Sequence, residues 1–199
     1  MKRMTWVGAL AALGIAGLAI AAETTTTTTT TTTTGPVAQY LGAGKCKTCH
    51  NSAKKGAQYK VWTDSKHAHA FLELGTPKAL EIATKAGIKD PQKAPECLQC
   101  HVTGYGQPAD HFAASFSESL GVQCETCHGA GSNYYKRATM LEIRSKKAAP
   151  AKYGLLMPTK ETCAKCHNEK ATGGKFIDWP ADSAKIAHPI PPGAESATE

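Results

Sequence analysis

The sequence has few aromatic residues and no convincing run of alternating apolar and polar residues. Phe, Trp and Tyr make up 7% of the 199 residues, and the apolar fraction is 41%. A chain of this composition buries little apolar surface by itself, so we expect a thin core. The missing alternation argues against a sheet protein, and scattered amphipathic stretches predict a mainly α fold with extensive coil.

No cysteine is left over once the sequence is divided into Cys-x-x-Cys-His pentads. At this spacing two thiols can add to the vinyl groups of one haem, and the next histidine can ligate its iron. The sequence therefore predicts four covalently bound c-type haems, each with a proximal histidine. The residues are Cys46 and Cys49 with His50, Cys97 and Cys100 with His101, Cys124 and Cys127 with His128, and Cys163 and Cys166 with His167.

Three other uses of paired cysteines explain the pattern less well. Tetrahedral zinc sites can use two Cys-x-x-Cys pairs, but zinc gives no reason for a histidine after every pair. A disulfide framework suits an exported chain and does not require those histidines either. A thioredoxin-like redox motif normally occurs once in a chain.

The N-terminal residues are typical of an export signal. Lys2 and Arg3 precede an apolar run that is short for a membrane span, and small residues follow it. We predict a signal peptide over 1–21, with an uncleaved anchor as the alternative, and no transmembrane segment in the mature chain. A threonine-rich linker over 22–36 and one haem domain over 37–199 follow. The protein is then expected in the periplasm or at the extracellular surface.

The net charge of +7 is weak support for nucleic-acid binding. It includes two basic residues of the signal, and each haem adds two propionates that offset the remainder. We therefore expect no nucleic-acid partner. The basic stretches are solvated faces in this interpretation, and an acidic redox protein is the partner class that they would suit.

Four segments carry helical signals. Pro77 to Ala86 has the clearest, with Thr76 as N-cap and Gly87 at the C-terminal cap. We also expect helix in part of 59–74, in 112–120 with a stop at Gly121, and in 134–147. The fold is predicted to wrap around stacked haems, because four macrocycles supply the apolar surface that the chain lacks.

Four histidines lie outside the pentads, which matches the number of distal ligands that four haems need. These candidates are His67, His69, His111 and His188. His67 and His69 point to opposite sides if they lie on one helix, so that helix could serve two haems. His188 is the sole histidine after the fourth pentad, and we assign it to the haem of Cys163 and Cys166.

Several extended motifs resemble the tetrahaem cytochrome c-554 family. They are Trp62-Thr-Asp-Ser-Lys-His-Ala-His-Ala, Cys97-Leu-Gln-Cys-His-Val-Thr-Gly-Tyr-Gly, and Gly121-Val-Gln-Cys-Glu-Thr-Cys-His-Gly-Ala-Gly. The resemblance implies a mostly helical fold with closely paired haems, electron transfer, and ligation by His67 opposite His128. Best-known members take electrons from hydroxylamine oxidoreductase, and relatives form extracellular cytochrome filaments.

The sequence departs from the resemblance after Gly131, where the best-known type has a histidine for the first haem and this chain does not. That departure weakens the link with the hydroxylamine pathway. We expect an exported electron carrier rather than an enzyme. The alternatives are a filament subunit with haem ligation between copies, and a nitrogen-oxide enzyme with an open iron at Cys97 and Cys100.

Overall fold

The computed structural model describes residues 37–171, 178–179 and 181–188. The predicted signal peptide and threonine linker lie outside the described residues, as does the end of the tail beyond residue 188. Within the described ranges the chain forms short helices joined by turns and loops, without a strand. An isolated bridge joins Tyr40 to Phe112. The mainly helical fold class is confirmed.

The helices are short, and within the described ranges none is long and apolar enough to cross a membrane. Single 3-10 turns lie between them at Ala53–Lys55, Ala109–His111, Glu118–Leu120, Gly131–Asn133 and Pro150–Tyr153. The α-helices of the described residues are α1 Ala43–His50, α2 Gln58–Thr63, α3 Ala70–Glu73, α4 Pro77–Lys85, α5 Pro95–His101, α6 Cys124–His128, α7 Arg137–Arg144, α8 Lys160–Ala164 and α9 Ala181–Ala184.

Helix α4 confirms the prediction made from its capping residues. The Thr76 hydroxyl accepts a hydrogen bond from the Ala79 amide at 3.3 Å, and Pro77 occupies the first turn. Gly87 has a φ of 73°, the left-handed conformation that ends many helices. Helix α7 likewise confirms the prediction for 134–147 over the central part of that segment.

The segment 59–74 is not a single helix, because turns divide it into two short helices. Helix α2 ends at Thr63 and α3 begins at Ala70, so His67 and His69 lie in the turns between them. The carbonyl of His67 accepts a hydrogen bond from the Val122 amide at 3.0 Å. Trp62 returns a bond through its indole nitrogen to the Val122 carbonyl at 2.8 Å. These long-range bonds hold the turn conformation and override the local helical pattern.

The helix predicted for 112–120 is wrong. Phe112 lies in extended backbone, held by the bond from the Tyr40 amide to the His111 carbonyl at 2.8 Å. Phe116 packs on Phe112 with ring centroids 4.7 Å apart. The spacing of the two rings therefore reflects an aromatic cluster against Tyr40 rather than one face of a helix.

The apolar core is thin, as the composition predicts. One cluster contains Ala43, Trp62 and Ala68. The second contains Leu74, Leu98 and Val102, with the Cys97 side chain packed against it. Both clusters adjoin helices that carry pentads, so they position cysteines rather than filling a separate interior.

A buried carboxylate joins distant parts of the chain. Glu125 is 2% exposed. Its carboxylate accepts hydrogen bonds from the backbone amides of Leu41, Gly42 and Gly131 at 2.7–2.8 Å. Burial raises the pKa of Glu125, and these three N–H bonds oppose that shift. Every partner is a donor, which suits the ionised carboxylate.

Replacement of Glu125 by glutamine tests this junction. One oxygen would survive, but the new amide group would face the Gly42 N–H donor and leave it without an acceptor. We expect Glu125→Gln to lower the free energy of unfolding by about 3 kcal/mol, measured by denaturant titration of the holoprotein. The exposed Glu118→Gln variant is the control with the same loss of charge. Equal stability of the two variants would contradict the assigned role.

Candidate haem-binding sites

Each pentad is presented on a helical turn. Helices α1, α5 and α6 end at the histidines of the first three pentads. The fourth begins in α8 and continues beyond it, where the His167 amide donates to the Cys163 carbonyl at 2.9 Å. Residues three and four apart share one side of a helical turn, so two thiols and one imidazole can reach a common group.

The side chains of all eight cysteines are half-buried. Within the described ranges, no group of three or more His, Cys, Asp or Glu side chains is arranged to hold a bare metal ion. Each pentad supplies two thiols and one imidazole from one helical turn, which is the donor set of a covalently attached haem. The residues fit that group.

Thiols of different pentads are neighbours in the structure. The neighbouring Cys124 thiol, with burial, raises the pKa of Cys46, and the Cys46 thiol lowers the pKa of Cys124. Burial and then the neighbouring Cys163 thiol raise the pKa of Cys127. The order of neighbours so far is first pentad, third pentad, fourth pentad.

A third pair of neighbouring thiols involves the second pentad. Burial and then the neighbouring Cys100 thiol raise the pKa of Cys166 to about 12. Cys166 belongs to the fourth pentad and Cys100 to the second. The spatial order of the pentads is therefore first, third, fourth, second, which differs from their order in the sequence.

Hydrogen bonds orient three of the four pentad histidines. Nδ1 of His101 lies 2.6 Å from the Ala70 carbonyl oxygen, and Nδ1 of His128 lies 3.0 Å from the Leu156 carbonyl oxygen. A carbonyl oxygen can only accept, so Nδ1 carries the proton and Nε2 keeps its lone pair. Nδ1 of His50 lies 3.2 Å from a side-chain oxygen of Gln58. Each ring thus presents Nε2 as a metal ligand.

Two of the spare histidines lie opposite pentad histidines. The rings of His67 and His167 have centroids 6.0 Å apart and planes at 77°. Those of His188 and His128 are 6.4 Å apart at 42°. Metal–imidazole bonds are about 2 Å long, so two rings that share one iron have centroids about 6 Å apart. Both separations match that geometry.

These ring contacts differ from the ligand pairs expected from the sequence. The resemblance implied His67 opposite His128, and chain position assigned His188 to the fourth pentad with His167. In the structure His67 faces His167 and His188 faces His128. Burial lowers the pKa of His67, and the neighbouring His167 lowers it further, so His67 stays neutral with its lone pair available.

His69 and His111 have different surroundings. His69 is exposed at the start of α3, and His111 is half-buried in the 3-10 turn before Phe112. Across the described part of the chain, neither ring contacts another histidine ring. Ala70, the neighbour of His69, binds Nδ1 of His101, so this backbone lies behind that ring on the side away from Nε2.

Two contributors to the sites were missed by reasoning from the sequence. Glu125 lies between the cysteines of the third pentad. An acidic residue at that position is a signal that could have been noticed in the sequence. Gln58 lies eight residues after His50 and carries no local signal. Its role depends on the reversal of the chain between α1 and α2.

Similarity to known proteins agrees with this geometry. Residues 45–129, which contain the first three pentads, match the family described as cytochrome c554 and c-prime. Cytochrome c-554 of Nitrosomonas europaea is 33% identical over 141 residues, covering 65% of this chain and 58% of that protein. The chain therefore aligns with less than two thirds of that relative's length.

A solved structure, the reduced state of cytochrome c554 from Nitrosomonas europaea, is similar with 29% identity and a TM-score of 0.49. The match covers 76% of this chain and 79% of that chain. The family match of the pentad-bearing segment confirms the resemblance predicted from the extended motifs. Residues 45–129 are thus similar to the cytochrome c554 and c-prime family, and covalently bound c-type haem is the cofactor that this family implies.

Proposed function

We propose that this protein is an exported tetrahaem c-type cytochrome that carries electrons between redox proteins. The observation that carries the proposal is the set of four Cys-x-x-Cys-His pentads on helical turns, with thiols of different pentads as neighbours. Each thioether sulfur would lie at the edge of its macrocycle. Neighbouring sulfurs therefore bring macrocycle edges together, which favours electron transfer between them.

The polypeptide has distinct roles in this function. When bound, each haem supplies a one-electron iron couple whose potential depends on its axial ligands and surroundings. The cysteines tether the macrocycles at fixed positions, and the pentad histidines present Nε2. The Nδ1 hydrogen bonds fix the orientation of these rings, as second partners do for most metal-bound imidazoles.

The electron route in this proposal runs in the order first, third, fourth, second haem. His67 and His167 would hold the iron of the haem at Cys163 and Cys166, and His188 and His128 would hold that of the haem at Cys124 and Cys127. The ring separations of about 6 Å support both pairs. Location in the periplasm or at the cell surface rests on the N-terminal signal and on the outer-side attachment of c-type haem.

Haem stoichiometry tests the basic proposal. Mass spectrometry of the mature protein should show four covalent haem additions and no free thiol. The double variant Cys163→Ser, Cys166→Ser should lose one addition and keep three. Acid-extractable haem, or bound zinc with no haem, would overturn the proposed function.

Double-variant logic tests the axial pair at the fourth pentad. His67→Ala should leave one iron without its second imidazole and produce a high-spin ferric signal in paramagnetic resonance. In the Cys163→Ser, Cys166→Ser background that haem is absent, so His67→Ala should add no high-spin signal.

The matched background is Cys124→Ser, Cys127→Ser, which removes the third haem instead. There His67→Ala should still produce the high-spin signal. The reverse pattern in the two backgrounds would restore the pairing of His67 with His128 and contradict its pairing with His167.

His69 offers a further test, because its backbone lies behind His101. We propose that His69 does not ligate the second haem of its own chain. His69→Ala should leave the paramagnetic-resonance spectrum of dilute protein unchanged. His111→Ala is the matched variant. A high-spin signal at all concentrations would contradict this. Loss of a low-spin signal only in concentrated, self-associated protein, followed by light scattering, would favour the filament alternative with ligation between copies.

A further inference from the structure

The group that accepts from Nδ1 is a side chain at the histidine of the first pentad and a backbone carbonyl at those of the second and third pentads. His101 and His128 donate to backbone carbonyls of Ala70 and Leu156. His50 instead lies 3.2 Å from the side-chain oxygen of Gln58. A backbone acceptor is independent of residue type, whereas an amide side chain can be exchanged. The hydrogen bond at Nδ1 of His50 therefore depends on the identity of one residue.

The orientation of the Gln58 amide is fixed by a second contact. Its Nε2 donates to the Lys55 carbonyl at 2.6 Å. Because that carbonyl can only accept, the amide nitrogen must face Lys55 and the oxygen must face His50. Nδ1 of His50 then carries the proton, and Nε2 is free for iron.

The backbone that presents Gln58 adopts an uncommon conformation. Ala57, directly before it, has a φ of 48°, in the left-handed region that non-glycine residues rarely occupy. Such a residue costs about 1–2 kcal/mol and persists where the surrounding structure holds it. This turn starts α2 and places Gln58 beside the end of α1. The strained backbone of Ala57 and the two contacts of the Gln58 amide thus lie at adjacent positions.

We propose that Gln58 is a positioning residue for His50 that helps to set the reduction potential of the haem at Cys46 and Cys49. This inference rests on the proposed function. An acceptor on Nδ1–H increases the electron density of the imidazole and so stabilises ferric over ferrous iron. A stronger acceptor should lower the potential, and removal of the acceptor should raise it.

The test compares Gln58→Glu with Gln58→Leu in the holoprotein by spectroelectrochemical titration. The carboxylate of Gln58→Glu is the stronger acceptor, so one of the four potentials should become more negative. Gln58→Leu has no acceptor, so the same potential should become more positive. A purely structural role would not give shifts of opposite sign.

Gln99 provides the matched control. It is exposed between Cys97 and Cys100, and its amide also donates to a carbonyl three residues earlier, that of Glu96 at 3.1 Å. Gln99→Glu adds the same charge beside a pentad, but this side chain does not bond to a pentad histidine. We expect smaller shifts for Gln99→Glu and Gln99→Leu than for the corresponding Gln58 variants.

Equal shifts at the two positions, or shifts of one sign for both Gln58 variants, would overturn the inference. If Gln58→Leu does not mature, the comparison of Gln58→Glu with Gln99→Glu decides alone. A larger negative shift at Gln58 supports the proposal, and an equal or smaller one overturns it. A parental protein with fewer than four covalent haems would instead contradict the proposed function.

Discussion

The carboxylate of Glu125 holds the relative position of the first and third pentads. In sequence it lies between Cys124 and Cys127, and in space it binds the backbone at Leu41 and Gly42 directly before α1. Hydrogen bonds to an ionised acceptor are stronger than neutral ones, and enclosure by protein strengthens them further. A shift of this backbone would move α1 and with it the first pentad.

Further polar side chains extend this junction. Gln123 is 1% exposed, and its side-chain oxygen accepts from the Ala43 amide at 2.8 Å. The backbone N–H of Gln123 donates to the hydroxyl of Thr103, which is fully buried and pairs with the Thr126 hydroxyl at 2.7 Å. Side-chain bonds to backbone thus connect the first, second and third pentads where a larger protein would use a sheet or a deep apolar layer. Covalent haems suit such a frame because they add apolar surface and tethers together.

The arrangement separates two tasks that the sequence places side by side. Attachment is local, since each pentad supplies its own thiols and first imidazole. In the proposed function the second imidazole would come from elsewhere: from His67 in the turns between α2 and α3, and from His188 beyond α9. In the proposed function, packing of these distant segments decides which irons have two histidine ligands. The order of electron transfer likewise follows from which turns are neighbours.

The sequence alone predicts the features that depend on residues within one helical turn. The pentads predicted the donor sets, and the capping residues predicted α4, because thiols, caps and glycine act on the nearest few positions. It did not determine the partners of His67 and His188, the amide contact of Gln58, or the extended path at Phe112. Those depend on bonds between segments far apart in the chain, such as the one from Val122 to His67. Only the tertiary structure brings these groups within the few ångströms over which hydrogen bonds and axial ligation act.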